Sequence, residues 1–139
     1  MSNANETSRE RAERLIREGK LTAEAVANAE AIWREYLREG TTIPNGERIT
    51  VTLSDLYHVI VDPRISRKPE RIERALLGIF EIRQARYDRR EALTSWEEDG
   101  KVLSGIAILD TNNTLRSLHI VDHRRLRRAI RKEDLLWKR

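Results

Sequence analysis

At Gly78 the chain changes rhythm, and that change limits the folds open to it. Before it, apolar side chains recur every three or four residues; after it, four strand-length runs follow at 79–88, 91–98, 101–109 and 114–121. The residues between them, Asp88-Arg89-Arg90, Asp99-Gly100 and Thr111-Asn112-Asn113, favour tight reversals, because Asp, Asn and Gly accept the backbone conformations that hairpin turns need. The pattern predicts a four-stranded antiparallel meander. Residues 102–109 are apolar on both alternating sets, as in a central strand covered by helices, and Gly105 suits a close backbone approach.

The preceding half reads as helical. Thr7 with Glu10 forms a capping box ahead of Ala12, Leu15 and Ile16, and Gly19 ends that helix. Thr22 can cap a second helix whose stripe of Ala25, Val26, Ala29, Ile32, Trp33, Tyr36 and Leu37 stops before Gly40. The two should form a hairpin over 1–45, within the same compact unit as residues 46–139. After Pro44-Asn45-Gly46, Ile49 to Leu53 reads as a short strand or extended lead-in. Ser54 can cap a short helix carrying Leu56, Tyr57, His58, Val59 and Ile60, which Asp62-Pro63 should stop. A further helix should begin near Pro69 and run through Ile72, Leu76 and Leu77. The expected class is therefore α+β: N-terminal helices, a four-stranded antiparallel sheet, and a basic helix starting around Asp122.

Length permits one domain rather than two independent cores, at 139 residues. Charge is unevenly spread. The net +4 conceals nine Lys/Arg against three Asp/Glu in residues 114–139, which is the uneven basicity of a polyanion-binding face. With no cysteine there is no disulfide framework and no thiolate metal site. No window approaches the roughly 18 apolar residues of a membrane span, and the first residues lack an apolar leader core, so cytoplasmic residence is expected.

Within the basic region Arg124, Arg125, Arg127, Arg128, Arg131 and Lys132 accompany Leu126, Ala129 and Ile130. The apolar three supply a buried stripe, and the cations are then either a solvated face or a phosphate-binding one. No acidic residue stands four positions away within the run to relieve their mutual repulsion, which favours a polyanion, with an acidic inhibitor or antitoxin protein fitting the same face. His119 and His123 flank the strand-to-helix junction, where imidazole can move protons near neutral pH. His123 beside Asp122 also reads as a helix-start residue. Ser117 and His119 are two apart on a strand and so share a face.

The segment from Leu53 to Arg139 resembles the phage-associated branch of the barnase, EndoU, colicin E5/D and RelE-like (BECR) nuclease superfamily. The resemblance is carried by His58 in Leu56-Tyr57-His58-Val59-Ile60, the Ile72-Glu73-Arg74-Ala75-Leu76 helix, and Glu81-Ile82-Arg83-Gln84-Ala85-Arg86-Tyr87-Asp88 opening the sheet. Ser117-Leu118-His119 and the terminal Leu135-Leu136-Trp137-Lys138-Arg139 close it. Where that family places a threonine followed two residues later by an aromatic, this chain has Ser117 and His119. The resemblance implies a small metal-independent endoribonuclease without cofactor, with His58 and His119 as the proton-transfer pair, Arg83 on the scissile phosphate and Ser117 hydrogen-bonded to a phosphate oxygen. Arg86, Arg116, His123 and the basic run would hold the rest of the nucleic acid, with RNA as the partner.

Each residue also has a plainer reading. His58 fits a partly buried structural histidine on an apolar helix, and Arg83 and Arg86 fit solvent-facing strand arginines. A metal site is disfavoured, because the junction between His119 and His123 breaks the shared face of a helical i, i+4 pair. There is no Gly-rich phosphate loop, no Gly-x-Ser-x-Gly elbow and no nucleophilic cysteine. Two alternatives stand beside the nuclease: a non-catalytic nucleic-acid-binding domain, and an interaction protein of a phage or mobile element presenting Trp33 and Tyr36 to a partner.

Overall fold

The computed structural model describes residues 6–122, 124, 126 and 134–139. Helix α1 (Ser8–Arg17) starts where expected, with the Glu10 amide donating to Thr7 Oγ1 at 3.1 Å. Helix α2 (Ala23–Ile32) is capped by Thr22, which accepts from the Ala25 amide at 3.0 Å. Beyond Ile32 the helix widens into a π-helical turn, Trp33–Leu37, marked by the Arg38 amide donating to the Trp33 carbonyl at 2.7 Å. The extra residue in that turn rotates the stripe, so that Leu37 is fully buried while Tyr36 faces outward. Trp33 packs against the core and donates its Nε1–H to the Val51 carbonyl at 2.6 Å, which leaves Tyr36 as the exposed aromatic of the hairpin.

A two-residue ladder, β1 (Thr41–Thr42) with β2 (Arg48–Ile49), then leads to α3 (Leu53–Val59). Its cap is Thr52 rather than Ser54: the Thr52 hydroxyl accepts from the Asp55 amide at 3.1 Å and donates to the Asp55 carboxylate at 2.9 Å. Asp62-Pro63 ends α3 and also begins the short α4 (Pro63–Ser66), because proline suits a first helical turn and Asp62 accepts from the Arg64 amide. Helix α5 (Arg71–Leu77) follows.

The meander is present as β3 (Ile79–Gln84), β4 (Arg90–Glu98), β5 (Lys101–Leu109) and β6 (Leu115–Val121), each antiparallel to the next. The first run ends at Gln84 instead of reaching residue 88, since Arg86–Asp88 form a tight turn in which Tyr87 and Asp88 have positive φ. Among the described residues the sheet has five strands, not four. Residues of β7 (Leu135–Lys138) pair antiparallel with β3, so the spatial order is β6-β5-β4-β3-β7. The basic helix expected from Asp122 lies largely outside the described residues: Arg125, Arg127, Arg128, Arg131, Lys132 and His123 belong there. At its entry the Asp122 side chain accepts from the Arg124 amide at 3.0 Å, and Leu126 is buried.

One hydrophobic cluster runs through helices and sheet, joining Ala12, Val26 and Ala29 of the hairpin to Leu56, Ile72, Leu76, Ile82, Ala107 and Leu118. Fully burying each such Leu or Ile stabilises the fold by about 1.5–3 kcal/mol. The two N-terminal helices therefore share the core of the sheet. Gly105 has the close approach expected of it: a β-carbon there would stand 3.2 Å from the His119 carbonyl and 3.3 Å from Thr94 Cγ2. Among the described residues no helix is long and apolar enough to cross a membrane.

At the β4–β5 end of the sheet Glu98, 8% exposed, is held by Lys68 at 2.5 Å, Arg71 at 3.2 Å, Arg74 at 3.4 Å and the Trp96 Nε1–H at 3.0 Å. Burial pushes its carboxyl up, but the hydrogen bonds from Lys68, Trp96 and Arg71 prevail and bring it from near 4.5 to about 2. A carboxylate depressed in the folded state stabilises above its unfolded value, and that contribution drains away as pH falls from about 4.5 through about 2. Glu98→Gln should lower stability by ~2 kcal/mol at pH 7, and urea unfolding between pH 5 and pH 2 should show a shallower loss of midpoint in the variant than in the wild type.

Candidate functional site

The site lies where α3 meets the outer edge of the sheet. Thr50 forms a parallel bridge with Thr114: its amide donates to the Asn113 carbonyl at 3.0 Å and its carbonyl accepts from Leu115 at 2.9 Å. Only two residues later Thr52 caps α3, so the start of that helix is pinned to the start of β6. On α3, Leu56, Tyr57, Val59 and Ile60 turn into the core, and His58 is left on the outer face with Asp55 one turn before it. Tyr57 is anchored by donating to Glu30 at 2.9 Å; burial, with that carboxylate, pushes its phenol up to about 12.

In β6 a bulge sets which side chains face outward. Leu109 pairs with Leu115 but Ile108 pairs with Ser117, so Arg116 is the extra residue. Leu115, Leu118 and Ile120 are consequently all buried, Arg116 and His119 are exposed, and Ser117 is half-buried. A regular strand could not bury both Leu115 and Leu118.

Two cavities share His58. One, of about 270 Å³, is walled by His58, Val59, Val61 and Asp62 on one side and by Ser117, Leu118 and His119 on the other. The second, of about 390 Å³, is walled by Arg11, Ser54, Asp55, His58 and Arg116. Three of the residues singled out by sequence, His58, Ser117 and His119, thus converge, and Arg116 joins them from the bulge. Arg11 arrives from α1, where it donates to the Ser54 carbonyl at 3.3 Å.

Arg83 is not brought to this place. It sits on β3, three strand spacings from β6, or about 14 Å. It is 4% exposed, and its Nε donates to the Glu81 carboxylate at 2.8 Å. The reading of Arg83 as the phosphate ligand beside His58 and Ser117 is therefore corrected: an arginine on an interior strand, committed to a buried ion pair, cannot reach the outer edge. Arg86 is exposed in the turn after β3, and Arg124 is exposed beyond β6. The other expected nucleic-acid contacts, His123, Arg125, Arg127, Arg128, Arg131 and Lys132, lie outside the described residues.

The electrostatics of the pocket set its groups apart. Burial against the cavity walls, reinforced by the Arg11 charge, holds His58 below the usual imidazole value; Asp55 opposes this, and Arg116 and His119 add to it. Burial raises Asp55 above the ordinary carboxylate value despite the Thr52 hydrogen bond and the Arg116 charge. For Asp62, burial is outweighed by hydrogen bonds from Arg64 and by the charges of Arg64 and His119, so that it stays below the ordinary value. His58 is then neutral at pH 7 and able to accept a proton, beside two arginines able to hold an anion. Among the described residues no group of three or more His, Asp or Glu side chains is arranged to hold a metal ion.

Sequence reasoning missed Arg11, Asp55 and Asp62. Asp55 and Asp62 were within reach of it, one at i−3 and the other at i+4 from His58. Arg11 was not, since nothing local says that the first helix crosses the third. Titration of His58 by NMR should give a midpoint below 6.5. Arg11→Ala should raise that midpoint by removing a cation and relieving desolvation, whereas Asp55→Asn should lower it further.

No family model, curated protein or solved structure matches this chain.

Proposed function

We propose that this protein is a small metal-independent endoribonuclease of the phage or toxin type, as the resemblance to the barnase, EndoU, colicin and RelE-like nucleases implies. The observation that carries the reading is the meeting of His58 with Ser117 and His119 around one cavity, and with Arg11 and Arg116 around the second cavity that shares His58. Cleavage of RNA without metal needs a base for the 2′-hydroxyl, an acid for the departing 5′-oxygen and donors around the phosphorane-like transition state.

His58, neutral at pH 7, takes the 2′-hydroxyl proton as the oxygen attacks phosphorus. The bond to the 5′-oxygen breaks, and His119 in its protonated form delivers a proton to that leaving oxygen. The products are a 2′,3′-cyclic phosphate and a free 5′-hydroxyl. Arg116 and Arg11 balance the negative charge that grows on the non-bridging oxygens, and the Ser117 hydroxyl donates to one of them. The phosphate role thereby passes from Arg83 to the bulged Arg116. Supporting its role as base, His58 is held below the ordinary imidazole value by burial and the Arg11 charge.

The test is cleavage of a labelled RNA oligonucleotide in excess EDTA. His58→Ala and His119→Ala should each lose on the order of 10²–10⁴-fold in kcat/KM, and wild type should leave cyclic phosphate ends and spare DNA. Arg83→Ala should instead lose about 3–5 kcal/mol of stability, because it strands Glu81, while its folded fraction still cuts. The acidic limb of kcat/KM should fall below pH 6.5, since a base with a lowered pKa stays deprotonated to lower pH. Binding without cutting by wild type would replace the enzyme by a non-catalytic nucleic-acid-binding domain, and histidine variants that cut as fast as wild type would move the catalytic site away from His58 and His119.

A further inference from the structure

The β3–β4 turn carries a side chain that neither the core nor the pocket explains. Tyr87 is 82% exposed, the most exposed large hydrophobic side chain among the described residues. Its backbone is left-handed, at φ 60° and ψ 37°, and Asp88 beside it is left-handed too, at φ 58°. Bulky L side chains avoid this region, so the turn holds a strained backbone while presenting an aromatic ring to solvent. Hydrogen bonds close the turn tightly, from the Ala85 amide to the Arg89 carbonyl at 2.8 Å and from the Arg89 amide to the Arg86 carbonyl at 3.2 Å.

The ring does not stand alone. The Arg89 guanidinium lies 5.7 Å from its centroid, in range for a cation–π contact, which leaves the opposite face of the ring uncovered by that group. Arg89 also pairs with Asp110 at 3.8 Å, and the other oxygen of that carboxylate pairs with Arg116 at 3.5 Å. Arg116 lines the cavity that holds His58. A continuous row, Tyr87, Arg89, Asp110 and Arg116, therefore crosses one end of the sheet, where Arg90 pairs with Leu109 and Leu109 with Leu115. It spans about 14 Å from β3 to β6, with two cations to one anion.

We propose that this row is a substrate subsite, in which Tyr87 stacks on an unpaired base of single-stranded RNA while Arg89 and Arg116 follow the backbone toward the pocket. The inference rests on the ribonuclease reading for the identity of the polymer, though not for the stacking itself. An aromatic ring accepts any base with a free face and is useless to a base inside a duplex, so the subsite selects strand state rather than sequence. Trp96 cannot do this work, being part-buried and donating its indole N–H to Glu98.

The test is anisotropy with a fluorescent single-stranded RNA and its duplex, using full-length protein carrying His58→Ala so that no probe is cut. In that background Tyr87→Ala should weaken single-strand binding about tenfold, Tyr87→Phe should bind as the parent does, and duplex affinity should be the same in all three. Tyr87→Gly should bind as weakly as Tyr87→Ala yet melt at the same or a higher temperature, because glycine accepts a positive φ; lost binding is then not lost folding. Single-strand affinity unchanged in Tyr87→Ala, or equal losses on duplex and single strand, would overturn the subsite. Loss of the Tyr87 effect with intact cleavage would sink the subsite alone. A preserved Tyr87 effect in a wild type that never cuts would sink the nuclease alone.

Discussion

The Thr50–Thr114 bridge is the contact on which the arrangement of this protein depends. A helix seven residues long has too few internal hydrogen bonds to hold its own place, and α3 is that short. Its position comes from both ends. The bridge joins its lead-in to the edge of the sheet, and Leu56 and Ile60 sink into the core beneath it. Arg90 secures the same corner by reaching Glu47 at 2.6 Å and Asn113 at 2.8 Å, tying the loop before the bridge to the turn before β6. His58 and His119 come from segments 61 residues apart in the chain, and their shared cavity exists because this corner is stitched.

The bulge in β6 is the second device. In a regular strand, burial of Leu115 would put Ser117 and His119 on the core face and turn Leu118 and Ile120 outward beside Arg116. Bulges commonly re-aim side chains in this way. Here the parity change gives three apolar anchors, Leu115, Leu118 and Ile120, to the core and turns Arg116, Ser117 and His119 toward the cavities, so that one local irregularity reconciles packing with chemistry.

Much of the fold was legible because its signals are local. Thr7 and Thr22 cap the first two helices as their sequence context implies, and the turns at Asp99-Gly100 and Thr111-Asn112-Asn113 separate the strands they were expected to separate. Leu135 to Lys138 were not readable as a strand, since what makes them one is an edge of β3 more than fifty residues earlier. The candidate site divides along the same line. Ser117 and His119 share a face by strand periodicity alone, and His58 meets them only through tertiary packing. Arg83 looked equivalent to any other strand arginine, because sequence does not show how many strands stand between it and the pocket. Thr52 displaced Ser54 as a cap for the reason that the helix begins two residues earlier than the apolar pattern suggests.

The pairing of β7 with β3 has a consequence for the path by which the molecule assembles. Glu81 must find Lys138, and Ile82 must find Trp137, across the whole intervening meander, so this ladder carries the longest loop closure in the sheet. Local hairpins can zip up first. Until the last strand docks, β3 remains an open edge with a row of unsatisfied amides and carbonyls. The interval before that docking is when the chain is most prone to pair with another copy of itself, and anything that slows the arrival of Leu135 to Lys138 lengthens it.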